Sequence, residues 1–599
     1  MRTAKDGAAT WKFDLMLALL AALIGLALNA ATGFRGLSDA GGDNDSLLQL
    51  VEVRDLIGGQ GWFDLHQYRM GLEGGFVMHW SRLLDAPLAL GILAMSGLTG
   101  SMPLAEQIMQ VAWPALLFWL TLFFTVRAAR AFGGAGAVVP AVVIGAAAYQ
   151  FVGIYSPGSL DHHNVQLMLT MASLSLLLEA PASRWAALPS GMCAALTLAI
   201  GMESAPYAGA IGALVALLFL AGAIMEKRIA GDFGLGFAGL SAFAFMTTIP
   251  MSAWGQAQCD AFSLVHFVVA GIAGTGLAAI ASIDALSRTR QARLMSLGVL
   301  AIALCAAVTG LFPQCLAAPY ANLDPRLKEL WLDNINEAQS LFTLIVHEPA
   351  RIAARYATPF VAIVLMALRL GRGDWRRQDT IVGTLLALAF LVGVWEVRGS
   401  TFSIAFAVIP LSAWIARWRA RAETASSIGV ALRLAAVWLV SVNPVWTGAA
   451  AATSVAFDKT AHAAGEADND KACEKKATFA LLAGLPDTGV LAVSNLGSPI
   501  LAYTGHHALA GPYHRNVAGN LLALDALLGP AEGTRRIVEA HGIGLVAVCA
   551  GNFENSFLAK KSPQGFLAGL LRGSVPDWLE PIPQGKGSPL TLYRVRQAG

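Results

Sequence analysis

Apolar runs of roughly twenty residues recur from Phe13 to about Trp446, separated by short polar stretches. Each run is long enough to cross ~30 Å of hydrocarbon as a helix. A closed barrel is the only other architecture that satisfies its backbone in lipid, and its short alternating segments are absent here. The pattern predicts spans at 13–34, 106–127, 134–154, 163–180, 185–202, 206–225, 232–252, 263–285, 294–312, 354–371, 379–396, 401–417 and 428–447. The stretch 83–100 is apolar but short and interrupted, and reads as an interfacial or re-entrant segment. From Ala451 onward, Lys, Asp, Glu, Gly and Pro separate short apolar runs. There the strand-like stretches Val490–Val493, Leu545–Cys549 and Leu590–Tyr593 alternate with helix-like Leu521–Leu528 and Arg535–His541, which predicts a water-soluble mixed α/β domain.

The fold expected is therefore a polytopic α-helical membrane protein of about thirteen spans. Residues 1–450 form the transmembrane domain, with large loops at 35–103 and 312–351, and residues 451–599 form the soluble domain. Only 13% of residues are charged, and the mean hydropathy is +0.58. The net charge of +2 leaves no basic stripe of the kind nucleic acid requires. Arg2, Lys5 and Lys12 precede the first run. That run exceeds an ordinary signal-peptide core, so an uncleaved first span is preferred to a leader cut near Ala30-Ala31.

Charge sets the orientation. Arg127 and Arg130, Lys227 and Arg228, Arg288 to Arg293, Arg369 to Arg377, and Arg417 to Arg421 fall on alternate loops, on the side of the N-terminus. That side is expected to be cytoplasmic. An odd number of spans then places 451–599 outside, in the periplasm of a bacterial inner membrane. Cys259, Cys315, Cys473 and Cys549 lie outside the apolar runs, with no CxxC spacing. On an oxidising side, Cys259–Cys315 and Cys473–Cys549 are possible pairs, though sequence does not fix connectivity.

The same outer side carries the unusual polar residues. Asp43-Asn44-Asp45 precedes an apolar helical stretch and reads either as a helix cap or as metal-ligating acids. Asp161-His162-His163 stands where a turn enters a span, and reads either as a helix cap with interfacial histidines or as cation ligands. Two carboxylates and an imidazole suit Mn²⁺ or Mg²⁺ better than a structural zinc site. Glu337 lies in the second large loop, and Arg398 starts a span from outside, as an interfacial anchor or a phosphate clamp. Glu203, also at an outer end, has no assigned role.

In order along the chain, these segments resemble the catalytic subunit of oligosaccharyltransferase, a membrane glycosyltransferase of the GT-C fold. Asn44-Asp45, followed by Arg54-Asp55-Leu56-Ile57-Gly58, resembles the start of that family's first external loop, whose Asp binds metal. Ser159-Leu160-Asp161-His162-His163-Asn164 resembles its second acidic motif. Asn334 to Gln339 resembles the SVSE/TIxE segment and places the acceptor-side glutamate at Glu337. Val397-Arg398, with Pro410 downstream, resembles the region whose arginine contacts the donor phosphate. One motif departs. The WWDxG slot, which in the family holds the acceptor's hydroxyl residue, should follow Val490-Leu491, but Ala492-Val493-Ser494-Asn495-Leu496-Gly497 stands there. Ala508 to Asn516 keeps the family's rhythm.

The resemblance implies inverting glycosyl transfer from a polyprenyl-phosphate or -pyrophosphate-linked sugar to a protein, lipid or polysaccharide acceptor. It implies a Mn²⁺ or Mg²⁺ ion on Asp45, Asp161 and His163, Arg398 on the donor phosphate, and Asp45 and Glu337 as catalytic residues. The rivals are a GT-C transferase that moves a single sugar onto a glycolipid or envelope polysaccharide, which the missing WWDxG favours, and a glycan transporter. Charges clustered at the outer boundary rather than at mid-membrane disfavour the transporter.

Overall fold

The computed structural model describes residues 4–38, 43–222, 224–317, 320–335, 337–425, 427–457, 472–583 and 588–596. Among them, 11 helices are long and apolar enough to cross a membrane, or 12 if one bent pair is counted as a span. That bent pair corrects the continuous run expected at 428–447. Ile428–Val440 and Asn443–Ala452 meet at 85°. Pro444 lacks the amide that would continue the first helix, and Asn443 Nδ2 instead donates to the Ala354 carbonyl at 3.1 Å. The stretch expected to be interrupted at 83–100 is one helix, Arg82–Thr99, continuous through Pro87. Its polar start is satisfied internally. Arg82 Nη1 pairs with Asp85 at 2.8 Å, and Gln49 donates to the same carboxylate.

The expected spans 163–180 and 185–202 form the helices His162–Glu179 and Ala187–Ile200, neither of which is among the eleven, whereas Arg82–Thr99 is. The first is lined by buried Asn164, Gln166, Thr170, Ser173 and Ser175 and lies inside the bundle. Ser173 and Ser190 exchange hydroxyl-to-carbonyl bonds of 2.9 and 2.8 Å between the two helices. This is how polar side chains join helices in lipid. Gly191 lets Ala187–Ile200 lie against Ile224–Thr248, because a Cβ there would strike the Phe233 carbonyl.

Basic residues gather at one end of the bundle. Arg127 pairs with Glu179 at 2.7 Å and Asp14 at 3.0 Å, Arg376 with Asp379 at 3.0 Å, and Arg377 with Glu226 at 2.5 Å. Glu179 closes the helix that Asp161 opens. At 1.5 Å per residue, this basic end is ~27 Å from Asp161.

At the other end, residues after Lys471 build a five-stranded sheet. Its strands are β3 (Gly489–Leu491), β4 (His507–Ala508), β5 (Ile543–Cys549), β6 (Leu579–Pro581) and β7 (Leu590–Val595); the hairpin β1 (His66–Gln67) and β2 (Phe76–Val77) belongs to the first loop. The order is β4-β3-β5-β7-β6. β3 runs parallel to β4 and β5, and β7 antiparallel to β5 and β6. The strands and helices expected at 490–493, 545–549, 590–593, 521–528 and 535–541 are all present within a few residues. Both cysteine pairs are disulfides, Cys259–Cys315 and Cys473–Cys549.

The first loop packs into this sheet region. Leu47, Leu48, Val51, Met70, Met78 and Trp80 share one hydrophobic core with Val490, Val546 and Leu592. Arg54 Nη1 donates to the Ala502 carbonyl at 2.6 Å while its other nitrogens grip Glu106. The helix carrying Asp45 is thus clamped between the bundle and the sheet.

Candidate functional site

Asn44–Ile57 begins with Asp43 as its cap, whose Oδ1 accepts the Ser46 amide at 2.8 Å. The cap is therefore Asp43, and Asp45 is not needed for it. Asp161 caps His162–Glu179 and accepts the His163 amide at 2.7 Å. A single bond ties the two motifs: the Leu160 amide donates to Ser46 Oγ at 3.1 Å. Residues 45 and 161 are each next in the chain to a member of this bond.

Electrostatics confirm the crowding. Burial, then Asp43, push the Asp45 carboxyl well above its usual range. His163 opposes this, and Asp161 and Glu337 add to it. Burial pushes Asp161 up to about 7, with His163 pulling down and Asp43 pushing up. Such mutual repulsion at a buried place is relieved by a cation, and the carboxylate and imidazole donors suit a divalent ion. Among the described residues, however, no three His, Cys, Asp or Glu side chains converge on one ion position. The donor chemistry fits a metal; a closed ligand set is not present.

A cavity of about 770 Å³ reaches His163, while Asp45 and Asp161 are not among its lining residues. His163, Glu337 and Arg398, drawn from three distant stretches, all line it. The Arg398 amide donates to the Glu337 carbonyl at 3.2 Å, and its guanidinium is held by Glu396 at 2.7 Å. Asn336, within the Asn334 to Gln339 segment, lies outside the described residues.

Several lining residues have no role assigned from the sequence. Glu203 enters the cavity, and its Oε2 accepts from Gln166 Nε2 at 3.2 Å, with His162 Nε2 3.6 Å away. Arg351 and Arg355 line it from the start of Pro349–Gly371. His79, Asp260 and His514 meet on another wall, beside the Cys259–Cys315 disulfide. These residues are far apart in sequence and form no local motif, so no spacing signal could have found them.

None of Ala492 to Gly497 lines the cavity. Instead, the Ser494 and Asn495 amides donate to Glu554 at 3.2 and 2.9 Å, and Ser494 Oγ lies 2.9 Å from the same carboxylate. The segment that departs from the WWDxG pattern is closed by an internal acid.

These features define a multi-pass α-helical membrane protein of GT-C-like fold, with a small mixed sheet beside its site. No family model matches the chain, and no curated protein sequence does. Solved structures do. The archaeal oligosaccharyltransferase AglB from Archaeoglobus fulgidus, in complex with an inhibitory peptide and a dolichol-phosphate, matches with a TM-score of 0.66 at 14% identity, over 94% of this chain and 72% of that one. The same organism's enzyme tethered to an acceptor peptide containing the NVT sequon matches with a TM-score of 0.64 at 14% identity, over 98% and 74%. Its complex with Zn and sulfate matches with a TM-score of 0.59 at 14% identity, over 89% and 68%. The chain shares the fold of these enzymes along nearly its whole length.

Proposed function

We propose that the chain is a membrane glycosyltransferase that moves a sugar or oligosaccharide, with inversion, from a polyprenyl-phosphate-type donor to an acceptor at the periplasmic face of a bacterial inner membrane. Residues 451–599 then form its periplasmic domain. The observation that carries this reading is the 770 Å³ cavity, where His163, Glu337 and Arg398 meet beside the Asp45–Asp161 acid cluster. The fold shared with oligosaccharyltransferases bound to dolichol-phosphate and to acceptor peptides supports it.

Asp45, Asp161 and His163 would hold a divalent cation, Mn²⁺ or Mg²⁺. When bound, such an ion supplies Lewis-acid stabilisation to a departing phosphate. Arg398 meets the phosphate from the bundle side. A guanidinium already fixed by Glu396 costs little reorganisation as charge develops. Glu337, one backbone bond from Arg398, stands on the acceptor side. The Glu554 closure at Ser494-Asn495 favours an acceptor other than an Asn-x-Ser/Thr peptide, in line with a transferase acting on a glycolipid or polysaccharide.

The test is incubation of the purified full chain, in lipid, with a radiolabelled polyprenyl-linked sugar. Label on an envelope acceptor, with release of free polyprenyl phosphate or pyrophosphate, is expected. A donor that is moved across the bilayer and recovered intact would overturn the reading.

A further inference from the structure

His514 stands in the turn between β4 and the helix Val517–Leu528, and its ring lines the cavity. Its Nε2 lies 2.8 Å from Asp260 Oδ2. Because Asp260 is an acceptor, the proton of a neutral ring sits on Nε2 and the lone pair on Nδ1. No hydrogen bond of Nδ1 is found among the described residues.

Asp260 is fixed from a second side. Arg515 grips both of its oxygens at 2.8 Å. Burial alone would raise the Asp260 carboxyl, but the bonds from His514 and Arg515 hold it far below the usual carboxylate range. It is therefore a permanent anion facing an imidazole. The loop that carries it is stapled next door by Cys259–Cys315. The ring of His79, from the first loop, lies 4.6 Å from that of His514 and is tilted 57° to it. Burial first of all pushes His79 down to about 3, so it stays neutral and adds no competing cation. Tyr320, from the second loop, meets the His514 ring edge-on at 5.1 Å. Glu203 also acts on His79, and Arg398 acts on Tyr320.

We propose that His514 is the general base of the transfer, positioned by Asp260, and that the acceptor nucleophile is a hydroxyl. A neutral imidazole with a free lone pair, a fixed anion behind it and a cavity in front is suited to take a proton from a hydroxyl during attack. It offers little to a carboxamide nitrogen, whose proton is far too weakly acidic for an imidazole at neutral pH. As the acceptor oxygen bonds to the anomeric carbon, its proton passes to Nδ1. The bond from the anomeric carbon to the phosphate oxygen breaks, and its electron pair leaves with the phosphate. The imidazolium, stabilised by Asp260, then returns its proton to water. A purely structural reading makes Asp260–Arg515 a strut between the sheet region and the bundle. That strut leaves His514 Nδ1 without a role.

The inference rests on the transferase reading above, so the experiment separates the two. The full chain in nanodiscs is given a polyprenyl-linked sugar with either an alkyl glycoside, which offers only hydroxyls, or an Asn-x-Thr peptide. Binding of polyprenyl phosphate is measured in parallel. The wild-type chain should glycosylate the glycoside, with a rate that falls as pH drops. His514→Gln should cut that rate by ~10²–10⁴-fold, remove the pH dependence and leave polyprenyl-phosphate binding unchanged. Asp260→Asn keeps the contact but removes the charge, and should cut the transfer rate while leaving polyprenyl-phosphate binding unchanged. Transfer at wild-type rate by His514→Gln or by Asp260→Asn, or transfer to the peptide alone, would overturn the proposal. Failure of the wild-type chain to bind polyprenyl phosphate would remove the transferase reading and this inference with it.

Discussion

The amide of Arg398 donates to the carbonyl of Glu337 at 3.2 Å, and one residue earlier Val397 donates to Gln339 at 3.0 Å. The second large loop and the turn before Ser400–Thr424 are therefore locked in register, independently of either side chain. Arg398→Ala should leave this lock intact and remove only the guanidinium. A hydrogen bond to a charged group contributes about 1.5–3 kcal/mol, so affinity for polyprenyl phosphate should fall by about ten- to a hundredfold. Arg398→Lys should recover little of it, since an ammonium does not reproduce the planar fork. Unchanged affinity in Arg398→Ala, measured by titration in nanodiscs, would contradict the phosphate role.

Ser46 Oγ accepts the Leu160 amide at 3.1 Å and so joins the two acidic motifs. Ser46→Ala leaves that amide buried without a partner, at a cost of about 1–3 kcal/mol. Mn²⁺ affinity should drop while polyprenyl-phosphate affinity does not. Equal loss of both, read by calorimetry, would mean that the bond merely supports the fold.

Asp161 gives a pH test. In the folded chain without metal its carboxyl takes up a proton below about 7, whereas in the unfolded chain it does so only near 3.9. Between roughly pH 4 and 7 the native state thus binds more protons, and stability from this group declines as pH rises across that window. A cation needs the carboxylate, so its stabilisation runs the other way, being largest at pH 8 and fading below 7. Thermal unfolding with and without Mn²⁺ should reveal both trends. Asp161→Asn should flatten them, and identical pH curves for the variant and the parent would contradict the assignment.

Cys473–Cys549 closes a sequence separation of 76. On chain-entropy grounds a loop of that length corresponds to about 4–5 kcal/mol. Alkylation of the unreduced, denatured chain should modify only Cys193 and Cys305, the two free thiols. Reductant should lower the unfolding temperature. Modification of all six cysteines would place this face in a reducing compartment and contradict the orientation.

Much of this was legible because the governing signals are local. Span length, alternating basic loops and the strands of the soluble region each depend on a window of about twenty residues or fewer. Asp45 and Asp161 stand out in the sequence because acids at helix starts are conspicuous beside apolar runs. The helix bend at Asn443-Pro444 was missed because apolarity continues through it and only the proline marks the break. His79, Glu203, Asp260 and His514 were invisible as a group because four separate segments deliver them, and each alone is an ordinary polar residue in a loop or at a helix end. The Glu554 closure of Ser494 was hidden for the same reason, with 60 residues between the partners.

The most direct test of the central claim is the rate of sugar transfer from a polyprenyl-linked donor by the purified chain with Mn²⁺, by Asp45→Ala and Asp161→Ala, and by the wild-type chain in chelator. Transfer by the wild-type chain that is lost in chelator and in both variants, with polyprenyl phosphate still bound in every case, is the predicted result. Full transfer in chelator, or in both variants, would contradict a cation held by Asp45, Asp161 and His163.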